Sequence, residues 1–151
     1  RWTMMASLEV RALEARDEPD WRRLWTGYLE FYETAVDEVV YTTTFERLLS
    51  AGDNEFAALV ALRDDEAIGI THYLFHRHCW RVENVCYLQD LYVDAPVRGT
   101  GAGRALIEAV YQRADDAGCP GVYWLTQEFN QAGRRLYDRV ATLTPFVKYA
   151  R

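Results

Sequence analysis

The sequence predicts an α+β domain in three layers, a mixed and mostly antiparallel sheet with helices on both faces. Two observations carry this. Short runs of period-two alternation are interspersed with segments in which apolar residues return every three or four positions, and they follow one another in the order β-α-α-β-β-β-α-β-α-β. Three strand runs in succession form an antiparallel meander. At 151 residues the chain is of the size of one domain, expected to span 1–151. Half of its residues are hydrophobic and 14% aromatic, enough to build a core.

Each element has a local reason. The run LEVRALE, residues 8–14, alternates as a first strand. In residues 18–35, Pro19 and Asp20 lie near a helix start, and Trp21, Leu24, Trp25, Tyr28, Leu29 and Tyr32 follow at helical spacing. TTFERLLSAGD, residues 43–53, reads as a short second helix, capped by threonine and stopped at Gly52. Residues 55–94 hold the three strands of the meander, with RDDE at 63–66 as one hairpin turn and RVEN at 81–84 as a second. A helix from Gly101 to Ala117 carries Ala105, Leu106, Ala109 and Val110 at its period and ends at Gly118. GVYWLTQ, 121–127, is a strand; NQAGRRLYDRVA, 130–141, is a helix capped by Asn130; TPFVKYA, 144–150, is a closing strand.

Charge and cysteine usage narrow the partners. A net charge of −6 disfavours nucleic acid and anionic membrane surfaces and favours cationic ligands. No apolar run approaches the ~18 residues of a membrane span, and the first residues lack the apolar core of a signal peptide. Cys79, Cys86 and Cys119 form no C-x-x-C pair and leave one over, so neither a disulfide framework nor a zinc knuckle is indicated. A reducing cytoplasm is the expected compartment.

The segment YVDAPVRGTGAGRALIEAV, residues 92–110, sets Gly99, Gly101 and Gly103 at the passage from a strand into a helix. Free backbone N–H groups converge there and the helix dipole is positive, which suits an anion; a tight packing turn is the alternative. A dinucleotide fingerprint would need glycine at Arg104, and no Lys-Ser/Thr pair follows as in a P-loop.

RGTGAG, residues 98–103, matches the R/Q-x-x-G-x-G/A signature of the GNAT superfamily of N-acetyltransferases. YLQDLYVD before it resembles the family's central strand, and NQAGRRLYDRVA resembles the following N-x-A…LY helix. The resemblance implies the GNAT fold and acetyl-CoA as co-substrate, with no metal. Carried over, Arg98, Gly99, Thr100, Gly101, Ala102, Gly103 and Arg104 take the pyrophosphate. Leu91, Tyr92 and Val93 line the pantetheine arm on a strand that splays from its neighbour, and Asn130 contacts the cofactor. A homodimer is a further expectation from the family. CYLQDLYVDAPVRGTGAG and FNQAGRRLY look most like the diamine (spermidine/spermine-type) acetyltransferases and their bacterial relatives. Where those have a glutamate-aspartate pair, this chain has Gln89 and Asp90.

The chemistry names further candidates. An amine of pKa ~10.4 must lose a proton before it attacks a thioester. Asp90 is the first candidate to accept it, directly or through water, and Glu128 the second; surface solvation or binding of a substrate cation is the other reading of each. Tyr137, on the LY helix, is the candidate proton donor to the departing sulfur, against a packing tyrosine whose hydroxyl caps a backbone group. His72, His76 and His78 share parity in one strand, but same-face strand positions seldom surround an ion, so a polar strand face is preferred to a metal site. Trp21, Trp25, Tyr28 and Tyr32, with Glu30, Glu33, Asp37 and Glu38 nearby, suggest an acidic, aromatic mouth that attracts a cation. The expected reaction is acetyl transfer from acetyl-CoA to a primary amine of a small cationic or amino-acid-like molecule. A protein lysine or N-terminus, or an acyl-CoA-binding module without turnover, are the alternatives.

Overall fold

A computed structural model describes residues 7–151. Its sheet has five strands in chain order: β1 (Leu8–Ala12), β2 (Ala57–Arg63), β3 (Glu66–His76), β4 (Val85–Val93) and β5 (Val122–Tyr123). The first four are antiparallel neighbours and β5 joins β4 in parallel. The helices are α1 (Glu18–Phe31), α2 (Glu38–Leu49), α3 (Ala102–Asp116) and α4 (Gln131–Val140). On one face α1 and α2 bury Trp21, Leu24, Trp25 and Phe45 against Val60 and Ile70 of the sheet. On the other, Leu106, Ile107 and Val110 of α3 pack on Leu59, Tyr73 and Leu88, with Leu136 and Tyr137 of α4 alongside. The expected three-layer α+β arrangement is present.

Local signals set several elements. Gly101, at φ 95°, caps α3, and Gly118, at φ 70°, follows its end. Asn130 caps α4 by accepting the Gly133 N–H at 3.2 Å. Asp64 and Asp65 both take positive φ, as the two-residue turn between β2 and β3 requires. Asp17, buried just before α1, receives Arg11 through two hydrogen bonds of 2.8 and 2.9 Å and also accepts the Glu14 N–H. This clamps the end of β1 to the start of α1.

Four expectations change. The second helix begins at Glu38, five residues before the predicted start, because Tyr41 and Phe45 pack on Trp21 and outweigh the poor helix propensity of the Val-Val-Tyr-Thr run. RVEN closes a longer loop, 77–84, instead of forming a hairpin turn by itself. The strand of residues 121–127 shrinks to Val122–Tyr123, and the closing strand of 144–150 does not form. Both have the same cause: a strand exists only where a neighbour offers its edge, and the chain departs from β4 after Tyr123, leaving no ladder for the tail to extend.

Candidate active site

The departure of β5 shapes the site. Pairing between β4 and β5 stops at Cys86–Val122 and Tyr87–Tyr123, so beyond Tyr87 the β5-facing edge of β4 has no strand partner among the described residues. Leu91, Tyr92 and Val93 lie on this stretch, still paired to β3 through Thr71, Ile70 and Gly69. A β-bulge shifts the β3–β4 register: Tyr73 faces Leu88 and His72 faces Asp90, so Gln89 is the extra residue. Gln89 is exposed and Asp90 is buried on the α1 side. The bulge therefore gives the inward position to the carboxylate of the Gln-Asp pair.

Beyond β4, the loop has the conformation its glycines imply. Gly99 and Gly101 take φ of 79° and 95°, and a Cβ on either would meet open space, so backbone dihedrals and not crowding require glycine there. Gly103 answers to packing, since a Cβ would lie 3.3 Å from Leu136 of α4. The Ala105 N–H bonds back to the Gly101 carbonyl at 3.0 Å. The amides of Ala102, Gly103 and Arg104 ahead of it are the helix's unpaired donors. Thr100 Oγ1 donates to the Val97 carbonyl at 2.5 Å and fixes the turn. These residues fit a pyrophosphate: free amides at a helix N-terminus, next to a strand with an open edge. The side chains are otherwise engaged. The Arg98 guanidinium lies over the rings of Tyr92 and Phe31, at 5.2 and 5.6 Å, while its Nε donates to the Val93 carbonyl. Arg104 pairs with Glu108 at 2.8 Å. The Asn130 side chain donates to Thr126 Oγ1 and accepts from Gly133, so it is occupied in shaping the head of α4.

Asp90 is 9% exposed. Its Oδ2 lies 2.8 Å from His72 Nδ1, and His72 Nε2 lies 2.9 Å from Trp21 Nε1. Burial alone would raise the Asp90 carboxyl. The hydrogen bond from His72 opposes it, with smaller help from the Tyr28 hydroxyl and the Trp25 indole, and the pKa falls below its ordinary value. Trp25 Nε1 is buried beside this carboxylate, yet it completes no hydrogen bond among the described residues. Tyr28 and Tyr87 border Asp90, and burial with the nearby carboxylate raises both phenols. Tyr32 stacks obliquely on Tyr28, with centroids 5.0 Å apart. Through Tyr32 the cluster reaches Tyr137, whose hydroxyl is pushed up to about 12, chiefly by burial. That hydroxyl makes no hydrogen bond among the described residues, whereas Tyr111 is the tyrosine that donates to a backbone carbonyl, Val140, at 2.7 Å.

The structure thus gathers Asp90 and Tyr137 around one group of tyrosines. Glu128 is exposed in the turn before α4, and its contact is the backbone carbonyl that accepts from Arg134. His78 lies beyond the end of β3, and among the described residues no cluster of histidine, cysteine or acidic side chains could hold a metal. Glu38 binds Arg22 on the outer side of α1. The expected acidic mouth is divided: Glu33 lines an open cleft with Phe31, Tyr32, Phe129, Asn130 and Arg135, while Glu30 and Glu38 line another with Arg22, Arg23 and Tyr41. Trp25 and Tyr28 were expected from sequence in an aromatic mouth, but that they border Asp90 together with Tyr87 was not, since only the fold of α1 onto β4 assembles them.

Comparison with known proteins agrees with this geometry. The Acetyltransferase (GNAT) family matches residues 14–141. The D-amino-acid N-acetyltransferase of Saccharomyces cerevisiae is 43% identical over 143 residues, covering 94% of this chain and 89% of that protein. The human spermidine/spermine N(1)-acetyltransferase-like protein 1 is 29% identical over 91% of this chain but only 21% of its own length. Among solved structures, an aminoglycoside N-acetyltransferase in complex with CoA superposes with a TM-score of 0.85 at 18% identity, covering all of this chain and 98% of that one. With the loop, the parted strands and the family match in agreement, the chain belongs to the acetyltransferase (GNAT) family and is an N-acetyltransferase.

Proposed function

We propose that the protein transfers an acetyl group from acetyl-CoA to the primary amine of a small cationic or amino-acid-like acceptor, with Asp90 seating the amine and Tyr137 serving the departing sulfur. The observation that carries this reading is the buried, ionised Asp90 set among Trp25, Tyr28 and Tyr87 at the open edge of β4. The likeness to a D-amino-acid N-acetyltransferase over nearly the whole chain supports an amino-acid-like acceptor.

Acetyl-CoA supplies a thioester carbonyl. The backbone amides from Gly99 to Arg104 hold its pyrophosphate, and the free backbone groups of Leu91, Tyr92 and Val93 hold its pantetheine arm. The side chains of Arg98 and Asn130 keep the loop and the α4 head in shape. Asp90, with a pKa below the usual carboxylate range, is too weak a base to store a proton from an ammonium at ~10.4. It seats the cation, and the proton leaves to hydroxide or buffer base of the bulk solvent before the neutral amine attacks. Tyr137 stays protonated at neutral pH, and its hydroxyl hydrogen-bonds to the sulfur as charge develops there, relaying to it the proton that the attacking nitrogen gives up. Residues 1–151 act as one catalytic domain in the cytoplasm. Exposed Leu143, Phe146, Val147 and Tyr149 support a homodimer, which would show as a doubled mass in sedimentation.

Thiol release from acetyl-CoA, measured against D- and L-amino acids, diamines, polyamines and a basic peptide, tests the acceptor. Free amino acids or small amines should give the highest kcat/KM. A peptide that outranks every small amine would move the acceptor to a protein lysine or N-terminus.

A further inference from the structure

Trp21, His72 and Asp90 form a chain of hydrogen bonds through the core, and the chemistry of its first member fixes the direction of the rest. An indole nitrogen carries a hydrogen and has no acceptor lone pair, so Trp21 Nε1 at 2.9 Å can only donate to His72 Nε2. That nitrogen must therefore offer a lone pair, which excludes the imidazolium. A neutral imidazole bears its one hydrogen on the other nitrogen, so Nδ1 donates to Asp90 Oδ2 across 2.8 Å and the carboxylate accepts. All three groups are buried: Trp21 is 0%, His72 3% and Asp90 9% exposed. Water therefore does not compete for these bonds, and each donor polarises the next toward the carboxylate.

This chain spans the three elements that make the amine seat. Trp21 lies on α1, two turns ahead of Tyr28; His72 lies on β3; Asp90 lies on β4 next to the bulge. Oδ2 is held by His72, while Oδ1 makes no hydrogen bond among the described residues and is the oxygen left for an incoming N–H. The other groups facing Asp90 are Trp25 and Tyr28 of α1 and Tyr87 of β4, all neutral donors.

We infer that His72, locked by Trp21 in the neutral Nδ1–H tautomer, is a positioning residue that orients the Asp90 carboxylate toward the acceptor amine. The inference rests on the reading of Asp90 as the amine seat, and it makes the buried Trp-His pair part of acceptor selection instead of core packing alone.

Two measurements test it on the full chain. The nitrogen-15 resonances of the His72 ring at neutral pH should show a single species protonated at Nδ1 alone, and Trp21→Phe should abolish that single-species pattern. In kinetics, His72→Leu removes the donor and should lower kcat/KM for the best amine by about 10- to 100-fold with the KM for acetyl-CoA unchanged. His72→Asn, whose side-chain N–H can take the place of Nδ1–H, should recover part of the loss. A ring protonated at Nε2, or at both nitrogens, overturns the proposal whatever the kinetics. So does a folded His72→Leu enzyme with unaltered kcat/KM, or a His72→Asn enzyme no better than His72→Leu. If His72→Leu fails to fold, the comparison of His72→Asn and Trp21→Phe with wild type decides in its place: amine kcat/KM unchanged in both overturns the proposal. Asp90→Asn separates the two claims. An unchanged amine kcat/KM there would sink the amine seat, while the ring resonances would still report whether the Trp21–His72 lock exists.

Discussion

At the scale of single residues, the site depends on positions where one conformation or one proton is fixed. Gly101 is the clearest. Its φ of 95° is open to glycine and strained for a β-branched residue, and it turns the amides of α3 outward. Gly101→Val should therefore lower affinity for CoA by at least about 10-fold in calorimetry, with the fold intact by circular dichroism; unchanged affinity would remove the loop from the cofactor site. The glycine pattern was legible from sequence because it is local. The role of His72 was not: its spacing from His76 suggested a polar strand face, whereas the register across the bulge sets it opposite Asp90 and under Trp21. Gln89 illustrates the same limit. In sequence it is a lost carboxylate, and in the fold it is the exposed extra residue of the bulge.

At the scale of elements, signals at helix ends were readable and strand partners were not. Gly101, Gly118 and Asn130 mark α3 and α4 within a residue of their observed bounds. The start of α2 was hidden because Val39, Val40 and Thr42 are poor helix formers, and only contact of Tyr41 with Trp21 and Trp25 reveals the helix. The strand of 144–150 alternates correctly yet has no edge to join. The junction of β1 and α1 yields a stability prediction. The Arg11 hydrogen bonds hold the Asp17 carboxyl below its ordinary pKa. A depressed carboxylate contributes stability that is full above its unfolded pKa of ~3.9 and is lost as pH falls through the folded value. Asp17→Asn should cost about 2–3 kcal/mol at pH 7 in urea denaturation, with the gap to wild type narrowing below pH ~3.9. A gap independent of pH would show that the carboxylate charge is not what clamps this junction.

At the scale of the whole molecule, the sheet parts on one side of β4, and every functional group follows from that parting. The loop after β4 leads into the free amides at the start of α3, the bulge within β4 turns Asp90 inward, α1 brings the aromatic wall, and α4 carries Tyr137 near Tyr32. Motif order announced this architecture, since three signatures in sequence imply one fold. That Glu128 lies exposed in the turn before α4, and not on a strand, could not be read, because it depends on where β5 ends. The central claim is that this opening is a catalytic site with Tyr137 as its proton donor, and the kcat of Tyr137→Phe tests it most directly. The substitution keeps the ring against Trp124 and removes only the hydroxyl. With the best amine, kcat should fall on the order of 10²-fold while acetyl-CoA affinity changes little. A folded Tyr137→Phe enzyme with near wild-type kcat would contradict the assignment.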